Sequence, residues 1–100
     1  MKTPEGYVQG AIMDWLAAKH ILAFRMNTGT AKIENRFIRF GTPGMADILA
    51  FAKDGTVTWI ECKAAKGKQS EVQKSFQRQV EENGHSYILA YSINDVEAYV

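Results

Sequence analysis

Three residues in the middle of the chain have side chains that could together perform hydrolysis: Asp47, Glu61 and Lys63. Carboxylate oxygens gathered around one point are the ligands that Mg²⁺ prefers, and a bound ion can activate water and neutralise charge on a phosphoryl group. A neighbouring lysine can hold the attacking water or stabilise the charge that develops. The three residues therefore predict metal-assisted hydrolysis, provided that the fold brings them together.

A hairpin at Asp54-Gly55 determines whether the two carboxylates meet. A two-residue turn would pair Asp47 with Cys62 and would direct Glu61 to the other face of the sheet. A three-residue loop over 53–55, with the glycine in the left-handed conformation, would pair Asp47 with Glu61 instead. The three-residue loop is favoured because it collects four large apolar side chains as cross-strand pairs on one face. These pairs are Phe51 with Val57 and Leu49 with Trp59.

The favoured register has a chemical consequence for Asp47 and Glu61. It places the two carboxylates about 5 Å apart at their Cβ atoms, with Lys63 diagonally adjacent. Like charges this close are unfavourable without a cation or a proton between them. Taken singly, Glu61 with Lys63 resembles an exposed strand pair, and Asp47 could simply end a turn after Gly44. The joint spacing is what predicts a metal-binding centre.

The elements that must position these residues predict an α/β fold. Thr3-Pro4 is typical of a helix start, and apolar residues at helical spacing extend the helix to about His20. A second helix, capped by Ser70, extends to about Asn83, with Val72, Phe76 and Val80 facing inward. We expect strands at 21–26, 47–52, 56–63 and 86–91, a loop at 27–30 and a short helix over 92–100. The order αβββαβα predicts a mixed sheet flanked by helices.

Composition is consistent with one domain over residues 1–100. The chain is 46% hydrophobic and 23% charged, which is typical of a globular protein rather than a disordered one. The formal net charge of +1 does not by itself indicate a polyanionic partner. The single cysteine, Cys62, excludes an intramolecular disulfide, is expected in the core and fits a reducing cytoplasm. No apolar stretch approaches the roughly 18 residues of a membrane span, and MKTPEG is not typical of a signal peptide.

The motif PGMAD at 43–47 followed by ECK at 61–63 matches the P-D…E-x-K pattern of metal-dependent nucleases. Glu5 in the first helix, an Asn-Thr-Gly loop, Gly41 and a later helix containing Gln73 accompany it in order. The whole arrangement resembles the virus-type replication-repair nuclease family (VRR-NUC) of the PD-(D/E)xK superfamily. The resemblance covers nearly all of the chain. It implies a restriction-endonuclease-like core with Mg²⁺ or Mn²⁺ as cofactor.

The resemblance also assigns roles to individual residues. Asp47 and Glu61 would ligate the metal directly, and Glu5 would reach it from the first helix, through water or directly. The backbone carbonyl of Cys62, rather than its sulfur, could face the metal. Lys63 would orient or activate the attacking water. Gln73 would support the site from its helix, with Gln69 as the alternative.

The resemblance further suggests a substrate and an assembly. Stand-alone family members of this size, from phages and bacteria, resemble Holliday-junction resolvases that act as homodimers, whereas larger relatives act on flaps. Symmetric cuts across a four-way junction need two active sites, which also favours a two-fold dimer. We therefore expect a junction-resolving endonuclease. The alternatives are a flap, nicking or restriction-like nuclease, and a DNA-binding module without turnover.

Two basic clusters could contact DNA phosphates. One follows the ECK motif, and the other includes the segment RFIRF at 36–40, which has β character; Asn27 and Thr28 could add hydrogen bonds. The alternative for both clusters is a solvated surface balanced by nearby glutamates. No stacking motif for single strands is evident in the sequence. The basic candidates are Lys32, Arg36, Arg39, Lys66, Lys68 and Lys74.

Overall fold

The computed structural model describes residues 3–26, 29–40 and 42–99, and it contains two sheets and three helices within them. The elements are α1 (Pro4–Ala18), β1 (Ala23–Arg25), β2 (Gly29–Ile33), β3 (Arg36–Phe40), β4 (Ile48–Phe51), β5 (Val57–Cys62), α2 (Glu71–Glu82), β6 (Ser86–Ala90) and α3 (Ile93–Glu97). Four strands form the main sheet in the order β1-β4-β5-β6, and β2 and β3 form a separate hairpin.

The main sheet is mixed, as the sequence predicts. The pairs β1–β4 and β4–β5 are antiparallel, whereas β5–β6 is parallel because α2 crosses over between those strands. One face packs on α1 and α3 through Ile12, Leu16 and Val96. The other packs on α2 through Val80 and Phe76. The predicted order αβββαβα is confirmed for the main sheet and its helices.

The hairpin β2–β3 departs from the prediction of a loop over 27–30. Gly29 and Thr30 begin β2, which pairs antiparallel with β3 up to the pair Ile33 and Arg36. The two residues between them, Glu34 and Asn35, have φ values of 50° and 65°. Two consecutive left-handed residues are what a tight hairpin turn requires, but Glu-Asn lacks the glycine that usually marks one. The turn was therefore not recognisable from sequence.

Both long helices begin where their caps predict. The Gly6 N–H donates to Thr3 Oγ1 at 3.0 Å, with Pro4 in the first helical position. Helix α1 ends at Ala18, two residues before the predicted His20, whose φ is 60°. Within the described residues, no helix has the length and apolar character needed to cross a membrane.

The inward stripe of α2 is shorter than predicted. Val80 is buried and Phe76 packs against Trp59 and Tyr87, as expected. Val72 is 51% exposed, so its predicted inward position is wrong. It lies in the first turn of α2, close to the backbone of Gly44 instead of the sheet core.

The β4–β5 hairpin has the predicted register. Leu49 pairs with Trp59 and Phe51 with Val57. The Ala52 N–H donates to the Thr56 carbonyl at 2.9 Å, which closes a three-residue loop. Gly55 has a φ of 92°, in the left-handed region. Continued toward the other end of the hairpin, this register sets Asp47 opposite Glu61.

Candidate active site

Glu61 is the most buried charged residue of the described chain, with 2% of its surface exposed. Its Oε2 accepts a hydrogen bond from Gln73 Nε2 at 3.1 Å and lies 3.5 Å from Lys63 Nζ. Its Oε1 is also buried and has no hydrogen-bond partner among the described residues. A buried carboxylate oxygen without a hydrogen-bond partner is unfavourable, because it has lost its hydrogen bonds to water and gained none from the protein. Such an atom is suited to accept a ligand that is not a protein side chain.

The protonation of Glu61 reflects this environment. Burial, and then the negative charge of Asp47, raise the pKa of Glu61 to about 7, although the Lys63 ammonium acts in the opposite direction. The carboxyl group therefore changes charge near neutral pH. A cation placed between Asp47 and Glu61 would favour the ionised form.

Asp47 is held in place from two directions. Its Oδ2 accepts a hydrogen bond from the backbone N–H of Cys62 at 2.8 Å, which fixes the side chain against β5. Its own carbonyl accepts from the Met26 N–H at 2.7 Å, which ties it to the end of β1. Asp47 is only partly buried, so its carboxylate lies nearer to solvent than that of the buried Glu61.

Lys63 connects β5 with α1. Its ammonium lies 3.5 Å from Glu61 Oε2 and 4.0 Å from Glu5 Oε1, and only 11% of its side chain is exposed. Its backbone N–H donates to the Ala90 carbonyl at 2.9 Å, which holds it at the end of the parallel pair. Glu5 is half exposed, so its contact with Lys63 is the weaker one. The structure thus brings together Glu5, Asp47, Glu61, Lys63 and Gln73 from the predicted catalytic set.

Gln73 holds Glu61 through the start of α2. Its Oε1 accepts from the Ser70 N–H at 2.9 Å, while the Ser70 hydroxyl accepts from the Gln73 N–H at 3.2 Å. This reciprocal pair is a capping box, which stabilises the first turn of a helix. The amide nitrogen of the same side chain remains to bind Glu61. Gln69, the alternative, donates instead to Gln77 Oε1 and Tyr87 Oη.

Gly44 permits the close approach of α2 to the segment that carries Asp47. A Cβ atom at this position would lie 2.3 Å from the Val72 carbonyl oxygen, and the φ of 79° is in the left-handed region. Only glycine satisfies both requirements without strain. The proline-glycine turn therefore positions α2, and with it Gln73, beside the carboxylates.

The donor set fits a divalent cation with oxygen ligands. Asp47 and Glu61 supply carboxylates, and the unpartnered Glu61 Oε1 is the observation that favours a cation there. Cys62 is 1% exposed in the core, and burial raises the pKa of its thiol to about 12, which disfavours the thiolate form. The described residues contain no group of three or more His, Cys, Asp and Glu side chains placed to hold a metal. Glu5 is therefore not a ready third carboxylate.

The predicted DNA-contact residues are only partly placed. Lys66 and Lys68 are exposed in the loop after the ECK motif, and Arg36 is exposed at the start of β3. Lys74 is half exposed and forms an ion pair with Glu71 at 3.5 Å. This pair is what a solvated surface balanced by glutamates would contain. Asn27 and Thr28, and the side chains of Lys32 and Arg39, lie outside what the structure describes.

Three polar residues at the site were not found from sequence. Tyr87 and Gln77 hold Gln69, and the Tyr91 hydroxyl donates to the Gly67 carbonyl at 2.8 Å. Together they anchor the middle and the last part of the loop that follows Lys63. The contacts of the two tyrosines join positions far apart in the chain, so no local spacing could have predicted them.

Comparison with known proteins adds one likeness. No family model matches the chain, and no curated protein matches it. A solved structure described as a VRR_NUC domain is 20% identical in sequence and superposes with a TM-score of 0.70, covering 97% of this chain and 94% of that one. The likeness agrees with the resemblance that the PGMAD and ECK motifs indicate. The chain has the fold of a VRR_NUC domain.

Proposed function

We propose that this chain is a metal-dependent endonuclease that hydrolyses phosphodiester bonds in branched DNA. The single observation that carries the proposal is the buried Glu61, with one oxygen unpartnered and the other held by Gln73 and Lys63. A buried carboxylate such as Glu61 beside a second one, Asp47, lowers the stability of the folded chain. Groups of this kind are concentrated at functional sites. Several classes of hydrolase could use such a site. The fold of a VRR_NUC domain favours a nuclease among these classes.

Asp47, Glu61 and the Cys62 carbonyl would hold Mg²⁺ or Mn²⁺, and Glu5 would contribute through water. When bound, the ion supplies positive charge that neutralises the phosphoryl group and lowers the pKa of a coordinated water. The Cys62 N–H keeps the Asp47 carboxylate in place, so this ligand needs no rearrangement to bind. Gln73 keeps the Glu61 carboxylate in place in the same way. Its amide binds Oε2 and leaves Oε1 available for the ion.

Lys63 would orient the attacking water. Its ammonium is buried beside Glu61 and lies at the end of the site nearest α1, so it can hold a water oxygen or stabilise charge on the phosphate. In the reaction, the water oxygen forms a bond to phosphorus and one ester P–O bond breaks. The departing oxygen takes up a proton, and the proton of the attacking water passes to solvent. Glu5 would keep the lysine directed toward the phosphate.

A four-way junction is the proposed substrate, with two copies of the chain acting on it. An edge of the main sheet could support such pairing, because β1 is the outer strand and exposed apolar residues lie on it, just before it and on the neighbouring β4. Leu22 is 60% exposed, Phe24 47% and Phe51 39%. Exposed aromatic residues on an edge strand commonly mark a contact with another chain. Sedimentation at micromolar concentration should give a dimer for the wild type and a monomer for Phe24→Lys.

Incubation of the purified protein with labelled DNA tests the proposal. The substrates are a four-way junction, a flap and a linear duplex of the same sequences, each with Mg²⁺, Mn²⁺ or EDTA. Paired symmetric nicks on the junction, absent in EDTA, are the expected result. Cutting of the flap alone would assign a flap nuclease, and cutting of every duplex would assign a restriction-like one. Binding without cutting under all conditions would leave a DNA-binding module.

A further inference from the structure

A groove opens between α1 and the turn that joins β6 to α3. Its volume is about 420 Å³, and its walls are mainly apolar and aromatic. Cavities that hold small organic molecules have volumes of roughly 300–1,000 Å³, with apolar walls and a few polar groups. The walls include Tyr7, Val8, Ala11, Tyr91, Ile93 and Asn94.

The groove adjoins the candidate active site through both of its walls. Strands β5 and β6 are parallel, so Lys63 and Tyr91, which directly follow them, stand at the same edge of the sheet. The Lys63 N–H donates to Ala90, the residue before Tyr91. On the opposite wall, Val8 lies three residues after Glu5 and hence on a neighbouring part of the helix surface. A molecule bound across the site would therefore extend into the groove.

Positive charge lies beside the same groove. The Tyr91 hydroxyl donates to the Gly67 carbonyl at 2.8 Å, so the tyrosine that forms the wall also supports the loop after Lys63. Lys66 and Lys68 flank Gly67, and both are exposed. A ligand suited to this surface has a flat, largely apolar part for the groove and an anionic part for the lysines. A nucleotide combines these two parts.

We propose that the groove binds the base of an unpaired nucleotide next to the phosphate that is cleaved. Tyr7 is 64% exposed and Tyr91 40%, so both rings present area on which a base can stack. Asn94 supplies an amide for the edge of the base. A base that is paired and stacked within a duplex cannot enter such a groove without first leaving the helix. The inference rests on the proposed nuclease function and defines its substrate class: DNA in which the base at the cut is unpaired or leaves the stack at a branch point.

Base binding can be measured without cleavage. A short single strand with the fluorescent adenine analogue 2-aminopurine is titrated with wild-type protein in EDTA, and quenching of the analogue reports stacking. Tyr7→Ala should weaken binding about tenfold, within the range that loss of one aromatic stacking partner causes. Tyr7→Phe, which keeps the ring, should bind as the wild type does. Tyr99→Ala is the matched control, because Tyr99 is 65% exposed and does not line the groove.

Two further variants distinguish base binding in the groove from an effect on the loop that follows Lys63. Ala11→Met places a long side chain without an aromatic ring in the groove from an exposed position on α1, and it should strongly reduce quenching while leaving the fold intact. Tyr91→Phe removes the hydrogen bond to Gly67 but keeps the ring, so quenching should persist. Circular dichroism of each variant verifies the fold.

Cleavage assays then distinguish the two proposals. The wild type should cut DNA with an unpaired base at the cut at least about tenfold faster than continuous duplex, and Ala11→Met should reduce that preference. Absence of quenching, or quenching in Tyr7→Ala and Ala11→Met equal to that of the wild type, would overturn the groove assignment even if DNA is cut. Quenching that depends on both residues, without cutting of any DNA, would retain the groove and overturn the nuclease.

Discussion

Gln73 and Glu61 are joined by a hydrogen bond of 3.1 Å from the amide nitrogen to the buried carboxylate oxygen Oε2. The other end of the same amide accepts from the Ser70 N–H and completes the capping box of α2. One side chain therefore both starts a helix and holds a carboxylate of the candidate active site. A change at Gln73 is expected to affect two measurable properties, and suitable variants separate them.

Gln73→Glu should keep the helix cap but impair the site. Glutamate at this position of a capping box accepts from the Ser70 N–H as glutamine does. It cannot donate to Glu61, and it adds a further negative charge beside Asp47 and Glu61. We expect little change in the helix start but a loss of at least about tenfold in cleavage rate. Gln73→Ala loses both contacts and should also lower the free energy of unfolding by about 1 kcal/mol. Unchanged cleavage by Gln73→Glu would contradict this role.

Metal-free protein should lose stability as the pH rises toward neutrality. Glu61 has a pKa of about 7 in the folded chain against an ordinary value of 4.5, so the folded state binds more protons between these values. The free energy of unfolding should therefore fall as the pH rises across this window. We expect a fall of about 2 kcal/mol, which is smaller than the full pKa shift would give, because solvent screens part of the repulsion from the half-buried Asp47. Urea unfolding in EDTA at about pH 5 and about pH 8 measures the difference.

Glu61→Gln is the control for that pH dependence. The amide is close to the carboxyl group in size and carries no charge, so the variant should be more stable than the wild type at about pH 8 and should lack the fall. An equal fall in both proteins would show that another group causes it. The same variant should not cut DNA.

Divalent cations should stabilise the folded chain through the two carboxylates. At a Mn²⁺ concentration of about a hundred times its Kd, the free energy of unfolding should rise by about 2.7 kcal/mol. Asp47→Asn and Glu61→Gln should both reduce this gain strongly. Thermal unfolding with and without Mn²⁺ measures it. A gain of equal size in all three proteins would place the cation elsewhere.

Gly44→Ala should destabilise the chain more than alanine at another left-handed glycine. The new Cβ would lie 2.3 Å from the Val72 carbonyl, and α2 would have to move away from Asp47. Gly55→Ala is the matched control, because Gly55 also has a positive φ but has open space around it. We expect about 1 kcal/mol for Gly55→Ala and at least about twice that for Gly44→Ala. Equal losses in denaturant unfolding would show that contact with Val72 is unimportant.

The β4–β5 hairpin could be predicted from sequence because packing and chemistry agree there. Pairing Leu49 with Trp59 is the register that buries apolar area, and the same register sets Asp47 opposite Glu61. The Ser70 cap is predictable for a similar local reason, since its hydroxyl and the Gln73 amide are only three residues apart.

Other features depend on contacts that local patterns do not contain. The predicted inward position of Val72 is wrong, because the backbone of this first turn of α2 lies against Gly44 and the valine is 51% exposed. The anchoring of the loop after Lys63 by Tyr87 and Tyr91 joins distant segments, and only the folded chain reveals it.

Single-turnover cleavage of a four-way junction in Mn²⁺ tests the central claim most directly, with wild type, Lys63→Ala and Asp47→Asn compared at saturating protein. Lys53→Ala, which changes an exposed lysine in the β4–β5 loop, is the matched control. We predict wild-type rates for Lys53→Ala and losses of at least about a hundredfold for the two site variants, with DNA binding retained by Lys63→Ala. Cutting that persists in EDTA, or at wild-type rate in both site variants, would contradict the account.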